Sequence, residues 1–196
     1  SSCTGLTVSR AGTATDLLPT DASGASFDTF GPNTPRIRSG KGLLVEESRT
    51  NYLLNSGTPA TQTTGDLPVG SYCLWVNGSG SALASADTAT IAGAASATNG
   101  GPNEFSVSAT GTVAVAVTGS LNEFQLEQSL SSANCTSYIP TASATTTRPV
   151  DSVFLATSGL VTNTADTIIG EWYSPYQLNT YQTTTGPAIL YAAGIP

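Results

Sequence analysis

Val113-Ala114-Val115-Ala116-Val117 and Glu123-Phe124-Gln125-Leu126-Glu127 carry the reading of the fold. Each alternates with period two. Large apolar side chains fall on one face and small or polar ones on the other, as successive side chains of a β-strand do. Alternation assigns Val113, Val115, Val117, Phe124 and Leu126 to the core, and a one-residue slip would expose them all. Phe105-Ser106-Val107 repeats the pattern upstream, with Gly111 between the runs as a hairpin candidate. Tyr52-Leu53-Leu54 and Tyr72-Cys73-Leu74-Trp75-Val76 are further strand candidates, and Asn77-Gly78 follows the second as a turn signal. Strands at short spacing with turn residues between them indicate an all-β, antiparallel sandwich or jelly roll. No window carries apolar residues at helical spacing, so helix is expected to be scarce.

Composition supports the same class and narrows the chemistry. Only 10% of residues are Asp, Glu, Lys or Arg, against about 25% in an average soluble domain. Surface polarity therefore falls to Ser, Thr, Asn and Gln, and β-branched Thr suits strands. The formal net charge is −7, with Lys41 the one lysine. Such a chain has no basic patch to neutralise a phosphate backbone, so no nucleic acid partner is expected. No run approaches the roughly 18 apolar residues of a membrane span.

Histidine is absent. That removes the usual general base near neutral pH and the Ser/His and Cys/His nucleophile systems. Glu46-Glu47 is the obvious acid pair, but neighbours on a strand point to opposite faces and do not flank one glycosidic bond. The chain reads as a non-enzyme. Cys3, Cys73 and Cys135 show no metal-ligand spacing, and Asp66 and Asp87 are isolated acids, so neither metal nor cofactor is expected. Cys73 and Cys135 can be bridged only if folding brings their Cα atoms close. Small buried thiols are the expected alternative.

Three units follow from the pattern. Residues 1–50 are broken by Gly and Pro and read as an extended arm resting on a neighbour. It carries short strands such as Leu6-Thr7-Val8 and Leu43-Leu44-Val45. Residues 51–147 are the sandwich. Residues 148–196 hold strands without a second layer and read as the incomplete beginning of another β domain. With Ser1 in place of Met and no signal segment, the chain reads as an excerpt of a longer protein. Trp75 lies in an apolar alternating strand and belongs to the core. Trp172, Tyr173 and Tyr176 are candidates for stacking on sugar rings. Arg49 and Arg148 are expected to clasp Glu46, Glu47 or Asp151 where the sandwich's two ends meet.

Two stretches carry a family resemblance. The first runs from Gly42 to Ser56 and includes Gly42-Leu43-Leu44-Val45-Glu46-Glu47-Ser48-Arg49-Thr50-Asn51. The second is Phe124-Gln125-Leu126-Glu127, then Thr136-Ser137-Tyr138-Ile139-Pro140-Thr141, closing on Thr147-Arg148-Pro149-Val150-Asp151. Together they resemble the segments that bracket a jelly-roll module in tailed-bacteriophage and prophage virion proteins. Those proteins are tail fibres, head fibres and spikes. Arg10 and Pro35-Arg36 match the usual approach to the first bracket. Ser48 departs from the common Ala, and Gln128-Ser129-Leu130 from a Gly-containing turn. The resemblance spans roughly residues 4–170 and implies a jelly roll akin to carbohydrate-binding modules, followed by a lectin-like sandwich. It implies a structural component of the extracellular particle that presents a β-sandwich for host contact. Other virion proteins and a homo-oligomer, trimeric in kind, would be the partners. The alternatives are a carbohydrate-binding module adsorbing to host polysaccharide, or part of a polysaccharide depolymerase.

Overall fold

A computed structural model describes residues 6–21, 26–38, 42–93, 95–99, 101–129 and 135–155. The opening strands are β1 (Leu6–Ser9), β2 (Ala14–Thr15), β3 (Thr29–Phe30), β4 (Arg36–Arg38), β5 (Gly42–Leu44) and β6 (Arg49–Asn51). The sandwich strands are β7 (Gln62–Thr63), β8 (Gly70–Ala86), β9 (Thr90–Ala92), β10 (Ala95–Thr98), β11 (Asn103–Ala109) and β12 (Val113–Ser129). The chain closes with β13 (Thr146–Arg148) and β14 (Ser152–Leu155). Among the described residues, helix is limited to one 3-10 turn, Pro19–Asp21. The protein is all-β and antiparallel, as its alternation requires.

Two strands of 17 residues, β8 and β12, pair along nearly their whole length and form the frame. One sheet runs β7-β12-β8-β11-β9, and β10 joins the second half of β8 beyond the reach of β11. The long pair curls on itself. Tyr72, Leu74 and Val76 from the first half of β8 share a buried cluster with Ala82 and Ala84 from the second half. Val113, Val115, Phe124 and Leu126 of β12 complete that cluster, with Val117 packed at its edge.

The curl has a local cause. At the bend a Cβ on Gly78 would lie 2.7 Å from the Ser120 carbonyl oxygen. One on Gly80 would lie 2.2 Å from the Thr118 carbonyl oxygen. Only glycine permits that approach. The register slips between Leu121 and Glu123, leaving Asn122 as a bulge that adds twist.

The structure therefore corrects two turn readings. Asn77-Gly78 does not reverse the chain, because β8 continues through it. Gly111 does not join a hairpin either: β11 pairs with β8 and β9, while β12 pairs with β7 and β8. Gly111 instead bridges Leu67, and a Cβ there would meet the Ala89 nitrogen at 2.5 Å. Tyr52-Leu53-Leu54 is not a strand. It follows β6 as an irregular crossing that buries Leu53.

The opening segment differs most from expectation. Its described residues do not form an arm held away from the sandwich. Leu17 packs with Cys73, Trp75, Cys135 and Tyr138 in a second buried cluster on the reverse face of the sheet. Arg10, Thr15, Leu18 and Arg36 are buried as well. The start of the expected second domain is also drawn in. Strand β14 pairs with β1, placing Val153 opposite Val8. Arg148, in β13, lies opposite Arg49 in β6. The remainder of that domain, with Trp172, Tyr173 and Tyr176, lies outside the described residues.

Cys73 and Cys135 form a disulfide, with Cα atoms 5.5 Å apart. The expected free thiols are thus replaced by a covalent tie between β8 and the closing segment. The pairing depends on how residues 135–139 fold back over the reverse face of β8, which spacing alone does not reveal.

Candidate functional site

The bracketing motifs converge on one buried polar clasp between the sheet's reverse face and the chain's two ends. Asp151 is its hub. Arg10 Nη1 donates to Asp151 Oδ1 at 2.8 Å, and Arg36 Nη2 donates to Oδ2. The Glu46 backbone N–H adds a third donor to Oδ2 at 2.9 Å, and the Asp151 N–H returns a bond to the Glu46 carbonyl at 2.8 Å. Arg36 Nη1 donates to Glu46 Oε2 at 2.7 Å and to the Thr15 carbonyl at 2.8 Å. Ser137 holds both Glu46 oxygens, through its N–H at 2.8 Å and its hydroxyl at 2.6 Å.

Burial disfavours every charge in this cluster, so the pairings decide the protonation states. For Asp151, burial pushes the pKa up. The Arg10 hydrogen bond, the Arg36 charge and the Glu46 N–H outweigh it and hold the carboxyl below its ordinary value. For Arg36, burial works against the cation, and Glu46 with Asp151 reverses that and raises its pKa. The cluster holds three guanidinium groups, Arg10, Arg36 and Arg148, against the carboxylates of Glu46 and Asp151. Arg148 is the loosest member, 3.6 Å from Glu46 and 3.9 Å from Asp151. Its Nε, Nη1 and Nη2 make no hydrogen bond among the described residues.

Further polar residues of both brackets continue the clasp. Asn51 uses its whole amide: Oδ1 accepts from the Leu53 and Leu126 N–H groups, each at 3.1 Å, and Nδ2 donates to the Ile139 carbonyl at 2.9 Å. Gln125 Oε1 accepts from the Ile139 N–H at 2.6 Å. Glu127 accepts from the Thr136 N–H, from the Thr136 hydroxyl at 2.7 Å and from Gln125 Nε2 at 3.0 Å. Burial nevertheless pushes the Glu127 pKa up to about 7. The Thr136 bonds oppose the shift, the Glu46 charge adds to it, and Arg49 opposes it. Tyr138 donates or accepts at Ser56 Oγ over 2.8 Å, and burial raises its phenol to about 12.

Of the residues expected to form the clasp, Arg148 and Glu46 lie in the buried cluster. Arg49 meets Glu47, one of its expected partners, at the half-exposed rim. Arg10 and Arg36 take the strongest bonds and were legible only as the arginines preceding the first bracket. Their partners lie 141 and 115 residues away along the chain, a separation that local pattern does not span. Trp75 is buried against Tyr138, ring centroids 5.9 Å apart, and belongs to the core as its strand position predicts.

A second feature faces outward. At the bend of β8 and β12 an open polar groove of about 500 Å³ is lined by Asn77, Ser79, Thr98, Asn99 and Asn122 over bare backbone at Gly78 and Gly80. Asn77 Nδ2 donates to Glu123 Oε2 at 2.7 Å, which fixes the orientation of the amide. The Gly78 N–H donates to Asn99 Oδ1 at 3.4 Å. Among the described residues no group of His, Cys, Asp and Glu side chains is arranged to hold a metal ion. Among the described residues no helix is long and apolar enough to cross a membrane.

Comparison of the chain with protein-family models, with curated proteins and with solved structures finds no match.

Proposed function

We propose that this chain is a non-catalytic structural module of a bacteriophage particle, a fibre, spike or decoration component that presents a β-sandwich toward the host surface. One observation carries the reading. The two bracketing segments that resemble virion proteins meet in a single buried clasp, to which they contribute Glu46, Asn51, Gln125, Glu127, Thr136, Ser137, Arg148 and Asp151. Their polar residues are thereby accounted for by architecture rather than by a reaction. The acids brought together, Glu46 and Asp151, are sealed against arginines and offer no open face to a substrate. The Cys73–Cys135 disulfide favours a location outside a reducing cytosol. The exposed Ile37, Val45, Val150 and Phe154 stand in the elements around the clasp and favour contact with other virion proteins or with further copies of the chain.

The test is immunogold microscopy with antibodies raised against the recombinant chain, applied to intact particles released from cells that carry the gene. Regular decoration of fibres, spikes or the head is the expected result. Particles that remain unlabelled while the chain is recovered only in the particle-free fraction would overturn the proposal.

A further inference from the structure

We infer that the Cys73–Cys135 bond is a redox latch set after folding: the chain reaches its fold with both thiols reduced, and oxidation then locks residues 135–139 onto the sheet. The latch rests on the fold alone and holds whether or not the chain belongs to a particle. The first support is that the fold brings the two sulfurs together without the bond. Cys73 lies in β8 between two paired strands, opposite Glu104 of β11 and Glu127 of β12. Glu127 in turn holds Thr136, the residue after Cys135, through both its N–H and its hydroxyl. The next three residues are tied too. Ser137 holds Glu46, the Tyr138 N–H donates to the Leu17 carbonyl at 2.8 Å, and the Ile139 N–H donates to Gln125. None of these bonds needs a disulfide, and together they set Cys135 beside Cys73.

The second support is the cover. Cys73 and Cys135 are both buried, with Leu17, Trp75 and Tyr138 packed around them. Thiol–disulfide exchange needs a thiolate to reach a sulfur, so a sealed bond reacts only when its cover lifts. The two sides differ in what lifting costs. At Cys73, β8 is paired on both edges, whereas residues 135–139 belong to no strand. Cys135 is therefore the sulfur that meets solvent in the opened state, and Cys73 stays fixed in the sheet. A small disulfide such as oxidised glutathione serves as the two-electron oxidant. The Cys135 thiolate attacks one of its sulfurs and releases one glutathione thiolate. As the segment swings back, Cys73 gives its proton to solvent, attacks the Cys135 sulfur and releases the second. The protein's two thiols have lost two electrons and two protons, and two glutathione thiols result. A chain made in a reducing cytosol thus folds first and is locked on reaching an oxidising medium, where the covered bond no longer exchanges readily.

The experiment uses the full chain carrying Cys3→Ser, so that no third thiol takes part, purified under dithiothreitol. The reduced chain should give dispersed amide NMR signals and a cooperative melt about 5–15 °C below that of the oxidised chain. A brief pulse of iodoacetamide on the folded, reduced chain, read by peptide mapping, should label Cys135 ahead of Cys73. Oxidised glutathione added to a separate reduced sample should yield the internal disulfide. Dithiothreitol should then reopen that bond at least about a hundredfold more slowly in buffer than in concentrated urea. A reduced chain without amide dispersion would show that the bond builds the fold instead of locking it. Cys73 labelled first, or at the same rate, would place the opening in the wrong element. Equal reopening rates in buffer and urea would show that the bond is not sealed. Each of these three results overturns the latch.

Discussion

Arg36 shows how much a single side chain holds. It is fully buried and touches Glu46, Asp151, the Thr15 carbonyl and the Ser137 hydroxyl. Its value lies less in net attraction than in what its removal leaves behind. A buried pair gains little over an apolar replacement of both partners, but one partner alone is an uncompensated charge. Arg36→Met should therefore cost about 3–5 kcal/mol in urea unfolding, and a loss under about 1 kcal/mol would show that Arg10 and Arg148 suffice for the two carboxylates. Glu127 gives the residue scale a pH signature. Its folded pKa of about 7 lies above an unfolded value of about 4.3, so the folded state holds the proton more tightly. The stability it contributes is full below about pH 4.3 and is lost as pH rises toward about 7. Asp151 runs the other way: its pKa is lowered in the fold, so its contribution is present above about pH 3.9 and lost as pH falls. Denaturant midpoints across this range should decline from about pH 4.3 to 7 in the native chain. In Glu127→Gln that decline should flatten, and an unchanged profile would show that Glu127 is ionised throughout.

At the scale of elements, the curl of β8 and β12 depends on two backbones meeting where no Cβ fits. Gly80→Ala would set a methyl 2.2 Å from the Thr118 carbonyl oxygen, backbone that cannot swing aside. The expected cost is about 1–3 kcal/mol or more. Gly65 has nothing within 4 Å of its would-be Cβ, and Gly65→Ala should be neutral or stabilising by up to about 1 kcal/mol. Thermal melts of the two variants test the contrast, and equal melting temperatures would show that the bend is not held by this approach. The same element shows what was legible in the sequence. Val113, Val115, Phe124 and Leu126 announced their face by alternation, and the core contains them. Gly78, Gly80 and Gly119 announced only a departure from regular strand. A glycine marks a hairpin turn and a strand crossing with the same letter, and only the opposing chain tells them apart. The reverse face was hidden for a related reason. Gln125 and Glu127 alternate as a solvent-facing pair would, yet the closing segment covers them and makes them the polar interior of the clasp. The groove went unread because Asn77 and Asn122 meet only after β8 and β12 pair.

At the scale of the molecule, the question is whether the opening segment is an appendage or part of the body. Its Gly and Pro content and scarce apolar residues suggested an arm that needs a neighbour. The described contacts tie it to the chain's own sandwich. Arg10 and Arg36 supply the principal cations to Asp151 and Glu46, Leu17 covers Trp75 and the disulfide, and Thr15 Oγ1 donates to the Tyr138 carbonyl at 2.7 Å. Polar bonds do there what apolar burial does elsewhere, which is why hydropathy alone undervalued the segment. Deleting residues 1–41 should therefore do more than trim an end. It would strip Arg10 and Arg36 from Glu46 and Asp151, leaving Arg148 as their nearest described cation at 3.6 and 3.9 Å, and it would open the Trp75 face to water. The sum of those losses is comparable to the about 5–15 kcal/mol that holds a typical domain together. The truncated chain should fail to give a cooperative melt or dispersed amide NMR signals, while the parent chain gives both under the same oxidising conditions. A truncated chain that melts cooperatively within a few degrees of the parent would show that the sandwich is complete from residue 42 onward and that the opening segment is detachable after all.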